Sequence, residues 1–178
     1  MLSMRRLALA CVLLLPTVAV AQAPGRAIRK DKVAGAEVEF VDHPWRPDVF
    51  AAFESGEGTP EGKRAWAFAR LTTSWFLGVD GALLPPGRYV LVLTAKTGDL
   101  PMTLELRRGD GREIFADLNA MATPAGGETV CKSPASFVAG KDPVPALDIT
   151  LAGWGDGIVL TVRYGNRKLT KELARAGP

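Results

Sequence analysis

Several segments of this chain alternate hydrophobic and polar residues with a period of two. Residues 36–41, 102–107 and 147–151 each show this alternation. Successive side chains of a strand point to opposite faces, so the pattern predicts strands with one buried face. Residues 88–95 are instead apolar on both faces over their middle, which is typical of a central strand in a sandwich. The pattern therefore predicts a protein built mainly from strands.

Glycine-containing turn signals separate these segments. An Asp-Gly pair at 80–81 and a Gly-Asp-Gly run at 109–111 predict hairpins, the second followed by a strand over 112–116. A Gly-Asn pair at 165–166 predicts a tight hairpin into a strand over 167–173. Turns at intervals of about 8–12 residues predict about eight or nine short strands, the signature of a sandwich or barrel. We predict an all-β fold, a single β-sandwich.

The sequence before residue 78 is compatible with either a helix or a strand. Thr59 and Pro60 offer a helix cap, whereas residues 71–77 are rich in β-branched and aromatic side chains. We predict a turn or short strand up to position 70 and a strand from there to position 78. Whether residues 60–70 form a helix or a strand stays open. Residues 54–62, with three glycines and a proline, are predicted to form a loop.

The N-terminal segment has the layout of a secretory signal peptide. Arg5 and Arg6 precede an apolar run, and Ala19 and Ala21 supply the small residues that a signal peptidase reads. We predict a signal peptide over 1–21, a flexible leader over 22–35 and the β-sandwich domain over 36–174. The apolar run is shorter than the roughly 20 residues that span a bilayer, so no membrane span is expected after cleavage. The predicted location is periplasmic or secreted.

Charge and cysteine content narrow the possible partners. Without residues 1–21 the chain has 20 basic and 19 acidic residues, which is not the charge distribution of a nucleic-acid binder. Cys131 is then the sole cysteine, so it forms no disulfide within the chain, although pairing between chains stays open. We expect its thiol to be buried, since free cysteine behaves as a small hydrophobic residue.

Three short motifs carry a resemblance to a known family. They are Gly-Lys-x-x-Trp at 62–66, Leu-Pro-Pro-Gly-Arg-Tyr-Val-Leu at 84–91 and Tyr-Gly-Asn-Arg-Lys-Leu at 164–169. With them the chain resembles the exported bacterial family called domain of unknown function 2911, over about residues 36–173. The family's Arg-x-Gly-Ala-Asn stretch is replaced here by Ala-Phe-Ala-Arg-Leu at 67–71. The resemblance implies an exported β-sandwich and carries over no activity.

Candidate catalytic and metal-binding groups are few. His43 is the only histidine, so a Ser-His-Asp triad or a dyad with Cys131 would have to use it. Zinc prefers several Cys or His ligands, and after residue 21 the chain has only Cys131 and His43. We therefore predict no metal site and no cofactor. A hydrolase site built from two carboxylates stays open as the alternative. Its candidates are the acids of the N-terminal half, Asp42, Asp48, Glu54 and Glu61.

The tryptophans are the remaining lead to a binding site. Trp75 is expected in the core, and Trp154, in a glycine-rich turn, is expected to cover one end of the sandwich. Trp45 and Trp66 lie on less regular segments near His43, which we expect in an exposed loop, and near Arg70. We predict that these four residues form a polar and aromatic binding patch. The expected function is a non-catalytic binding or structural module for a small molecule, a glycan or an envelope protein.

Overall fold

The computed structural model describes residues 26–57 and 64–177, and these ranges contain ten strands and two short helices. In chain order the elements are β1 (Ile28–Val33), β2 (Ala36–Val41), α1 (Pro47–Ser55), β3 (Ala65–Thr73), β4 (Phe76–Val79), β5 (Ala82–Leu84), β6 (Gly87–Thr94), β7 (Thr103–Arg108), α2 (Arg112–Ala116), β8 (Thr129–Pro134), β9 (Val138–Trp154) and β10 (Gly157–Ala176).

The strands form two antiparallel sheets that pack face to face. One sheet has six strands in the order β1-β2-β3-β6-β7-β8, and the other has four in the order β5-β4-β10-β9. The alternating hydrophobic residues of both sheets point inward and bury a common core. The fold is an all-β sandwich, as the sequence pattern predicts. Its largest fully buried side chains are Tyr89, Phe40, Phe68, Leu71, Leu77, Leu84, Leu91, Leu104, Leu106, Ile114, Leu147 and Ile149.

The outer face of the six-stranded sheet is covered by the segment that follows β7. Ile114 of α2 is buried against Val90 and Val92 of β6, and Ala122 lies beside Ala67 of β3. The amide of Ala67 donates to the Ala122 carbonyl oxygen at 2.9 Å. Residues 112–116 form the short helix α2 and not the predicted strand. The segment is hydrophobic because it packs on a sheet face. Over five residues, the hydrophobic pattern of such a helix cannot be distinguished from that of a strand.

Two buried glutamates on that same face are held by basic side chains. Glu39 bonds Lys30 and Arg70, and Glu105 bonds Arg107 and Lys132. Burial alone would raise the pKa of each carboxyl, but the hydrogen bonds from its two cations outweigh burial and lower the pKa. Both buried carboxylates of the covered face are therefore paired with cations.

The predicted flexible leader is wrong for residues 28–33, which form β1. This strand pairs along its full length with β2, from Ile28 opposite Val41 to Val33 opposite Ala36. It lies at the edge of the six-stranded sheet, where polar and charged residues are common because the edge faces solvent. Because this segment is polar, its sequence pattern did not indicate a strand.

Residues 47–55 form a helix in a region where a loop was predicted from residue 54. Pro47 occupies its first turn, and Gly56 ends it in a left-handed conformation at φ 75°. Phe50 and Phe53, three residues apart, are buried on one face of the helix. The helix therefore covers one end of the core.

The ambiguous segment is strand from residue 65. β3 runs to Thr73 and contains an irregularity in register between Ala67 and Ala69. Because this bulge shifts the alternation, Trp66 faces the core while Arg70 lies on the outer face with Glu39. Position 70 is therefore on the side of the sheet away from Trp66.

The chain reverses direction within β10. A Cβ atom placed on Gly157 would contact the Leu173 carbonyl oxygen, so residues near the two ends of this 20-residue element lie side by side. A straight strand of that length would extend about 65 Å. Gly165 has a left-handed φ of 58°, which permits the turn. This arrangement agrees with the predicted hairpin at 165–166.

Residues 1–21, the predicted signal peptide, lie outside the described residues. Within the described part of the chain, no helix has the length and apolar character needed to cross a membrane.

Candidate functional site

Three of the four predicted site residues meet at one end of the core. The rings of His43 and Trp66 lie edge to face with centroids 5.6 Å apart, and Trp45 packs against Tyr164 at 4.7 Å. Trp66 also contacts Tyr164, at 5.5 Å. Arg70 does not join them, because it lies on the other face of the sheet, where its guanidinium stacks 4.9 Å from the Phe115 ring.

This aromatic cluster is part of the core and not an exposed patch. Trp66 is 4% exposed and His43 3% exposed, while Trp45 is partly buried. The cavity beside Trp66 and Tyr164 measures about 10 Å³, which is the space of one water molecule. The Trp66 indole nitrogen has no hydrogen-bond partner among the residues that the structure describes. Because no larger ligand fits, the predicted binding patch is not assembled as a surface.

His43 is buried where an exposed loop imidazole was expected. Its amide donates to the Val41 carbonyl, and its carbonyl accepts from the Leu147 amide, both at 2.8 Å. The second bond joins the segment that follows β2 to β9. Arg26 Nη1 lies 3.2 Å from His43 Nδ1. Burial and then the charge of Arg26 lower the pKa of His43 to about 4, so the ring is neutral at pH 7.

The buried neutral imidazole predicts loss of stability in mild acid. The unfolded chain binds a proton near pH 6.5 and the folded chain only near pH 4, so stability falls as the pH drops through this window. Between pH 8 and pH 5 the expected loss from His43 is about 2 kcal/mol. Guanidinium unfolding at both pH values measures the loss, which the His43→Gln variant should reduce by more than half. An unchanged pH dependence in this variant would refute the role of His43.

The described carboxylates that were candidates for a hydrolase site each bond a different partner. Asp42 accepts from the Ala27 amide at 2.6 Å, and Glu54 accepts from Arg167 at 2.7 Å. Arg46 bonds exposed Asp48 and lowers its pKa, whereas a general acid needs a raised pKa. Glu61 lies outside the described residues.

Nucleophilic and metal-binding groups do not converge in the described ranges. Cys131 is buried, its sulfur lies 3.8 Å from the Val79 carbonyl oxygen, and burial raises the pKa of its thiol. The described residues contain no group of three or more His, Cys, Asp or Glu side chains placed to hold a metal ion. Because it is buried and its pKa is raised, the Cys131 thiol is poorly suited to act as a nucleophile at neutral pH.

An exposed aromatic surface exists elsewhere, on the outer face of the four-stranded sheet. Trp154 is 48% exposed, so the expectation that it covers an end of the sandwich is wrong. Trp75, expected in the core, is only partly buried, and the Arg175 guanidinium lies 4.6 Å from its ring centre. Trp154 is therefore the most accessible indole of the four.

Two open grooves lie along this outer face. The first, of about 530 Å³, is lined by Trp154 and by groups from β4 and β10. The second, of about 540 Å³, lies between the start of β9 and the Gly165 turn. Trp154 and Thr150 are four residues apart on β9, so they point to the same face of the strand and place both grooves on one side of the sheet. The first groove also contains Gly78, Asp80, Thr170, Lys171, Glu172 and Ala174.

The sequence contained a signal for this face. Leu147, Ile149 and Leu151 are buried, so the intervening positions point outward, and continuing the alternation places Trp154 among them. The glycine-rich sequence around Trp154 predicts a turn, so it did not indicate that this residue continues the outward-facing positions of the strand. β9 in fact extends to Trp154.

Comparison with protein-family models, with curated proteins and with solved structures finds no match to this chain. The candidate site therefore rests on its own geometry.

Proposed function

We propose that this protein is an exported, non-catalytic binding module that contacts its ligand through the outer face of the β9–β10 sheet. The observation that carries the proposal is the half-exposed indole of Trp154 on an open sheet face. An exposed indole is a large rigid contact surface with one hydrogen-bond donor, and such residues contribute much of the binding free energy at interfaces. The predicted signal peptide and the resemblance to an exported family support a periplasmic or secreted location.

The two outer faces of the sandwich differ in a way that favours this surface. Ile114 and Ala122 cover part of the face of the six-stranded sheet, and ion pairs occupy Glu39 and Glu105 there. On the other sheet, exposed side chains alternate with core residues along β9 and the second half of β10. A ligand on that sheet displaces no segment of the described ranges, residues 26–57 and 64–177.

A glycan array tests the proposal with the wild-type protein and the Trp154→Ala variant. We expect binding to at least one glycan class, weakened about tenfold or more in the variant. Mass spectrometry of the bound glycans should show unchanged chain length after prolonged incubation. Cleaved glycans would favour the hydrolase alternative, and binding that does not depend on Trp154 would refute this face as the site. Leu100→Ala is the control, because Leu100 is 68% exposed in the turn between β6 and β7.

A further inference from the structure

We infer that the ligand of this face is an anionic polysaccharide, with sugar rings at Trp154 and acidic groups at Lys141 and Lys168. The inference rests on the proposed function and adds the chemical class of the ligand. It follows from the different linings of the two grooves on this face.

The groove beside Trp154 suits the faces and hydroxyl groups of sugar rings. Gly78 and Ala174 are small, so they leave space next to the indole, on which the C–H face of a pyranose can stack. Thr170 and Glu172 are exposed and offer oxygen atoms to sugar hydroxyls. Asp80 is bonded to Lys171 at 2.8 Å, which neutralises the charge of this pair.

Two of the four basic side chains in the second groove have no carboxylate partner within the described part of the chain. Its charged lining comprises Lys141, Asp142, Arg163, Arg167 and Lys168. Arg163 bonds Asp148, and Arg167 bonds Glu54, so these two guanidinium groups are already compensated.

The remaining charges of the second groove favour an anion. Lys141 and Lys168 are exposed, and neither forms an ion pair with any residue in the described ranges. Against these two lysines stands one acidic residue, Asp142. The groove is therefore net positive and complements a carboxylate or sulfate group on a ligand.

The separation of the two grooves along one face favours a polymer over a single sugar. Thr150 and Thr161 are paired across β9 and β10 and line the second groove. Thr150 is about 13 Å from Trp154 along the strand, at about 3.3 Å per residue. This exceeds the length of one sugar ring. A bound peptide would instead use a free strand edge or apolar side-chain pockets, whereas these linings are rich in hydroxyl and charged groups.

Biolayer interferometry on immobilised polygalacturonate, dextran sulfate and neutral dextran tests the inference. We expect binding to polygalacturonate that weakens about tenfold or more in Trp154→Ala. The double variant K141Q/K168Q should weaken binding about fivefold or more, and added salt should weaken the wild type further. Lys32→Gln is the matched charge control, because exposed Lys32 lies on β1 of the other sheet.

The outcomes separate this inference from the proposed function. Dextran binding as strong as polygalacturonate binding, lost in Trp154→Ala but unaffected by K141Q/K168Q, would overturn the anionic ligand and keep the binding face. Binding to dextran sulfate alone, insensitive to Trp154→Ala, would overturn both, as would no binding to any of the three polymers.

Discussion

Replacing Trp66 with alanine is expected to destabilise the protein by about 3–5 kcal/mol, as for other large aromatic residues removed from a packed core. Trp66 is 4% exposed and contacts the rings of His43, Phe68 and Tyr164. Removing its side chain leaves a cavity between the two sheets that rigid neighbouring rings do not fill. Guanidinium unfolding at pH 8 measures the loss as a shift in the midpoint of the transition.

Trp154→Ala is the matched control for this prediction. The same substitution at a half-exposed position should change the free energy of unfolding by about 0.5 kcal/mol or less. Together the two variants distinguish an indole that supports the fold from one available to a ligand. Similar losses in both, or a negligible loss in Trp66→Ala, would contradict the assignment of the predicted patch to the core.

Replacing Gly165 with alanine is expected to destabilise the protein by about 2–4 kcal/mol, from backbone strain and overpacking together. Gly165 has a φ of 58°, and a Cβ atom there would overlap the indole of Trp45. That ring cannot move freely because it packs edge to face on Tyr164. The turn of β10 would therefore open or Trp45 would leave its site. Thermal and guanidinium unfolding, with Trp fluorescence as the probe, would detect both effects.

Gly153→Ala provides the comparison for the Gly165 variant. A Cβ atom on Gly153 meets no other atom within 4 Å, so the substitution should be nearly neutral. Equal stability of the Gly165→Ala and Gly153→Ala proteins would show that the Trp45 indole does not constrain the turn.

The fold class followed from local sequence patterns because a sheet with one buried face imposes a period of two. The strands at residues 36–41 and around 88–94 are where the alternation or the continuous apolar run places them. The helices escaped detection for a different reason. α1 and α2 have only nine and five residues, shorter than the window of about 11–18 residues over which helical periodicity is recognised. Their hydrophobic residues are explained by the parts of the core and sheet that they cover.

The binding site could not be predicted in the same way. Proximity in sequence placed Trp66 and Arg70 in one patch, but the bulge in β3 sends them to opposite faces. His43 looked like a loop residue because prolines follow it, yet Pro44 pairs with Ala146 of β9 and draws the imidazole inward. Which tryptophan stays exposed depends on how the sheets pack, and that information lies in contacts between distant segments.

The core aromatic cluster and the exposed tryptophan have separate roles. The cluster of Trp45, Trp66 and Tyr164 fixes the end of the sandwich where β2, β9 and β10 meet. The same two strands, β9 and β10, carry the grooves on their opposite side. A rigid core therefore supports the outer face on which the ligand is proposed to lie.

The most direct test of this account is a two-dimensional ¹H–¹⁵N NMR titration of the four tryptophan indole signals with oligogalacturonate. Tryptophan-to-phenylalanine variants assign the signals. We predict that the Trp154 signal shifts on ligand addition while those of Trp45, Trp66 and Trp75 stay in place. Shifts at Trp45 or Trp66 with an unmoved Trp154 signal would contradict the proposed binding face.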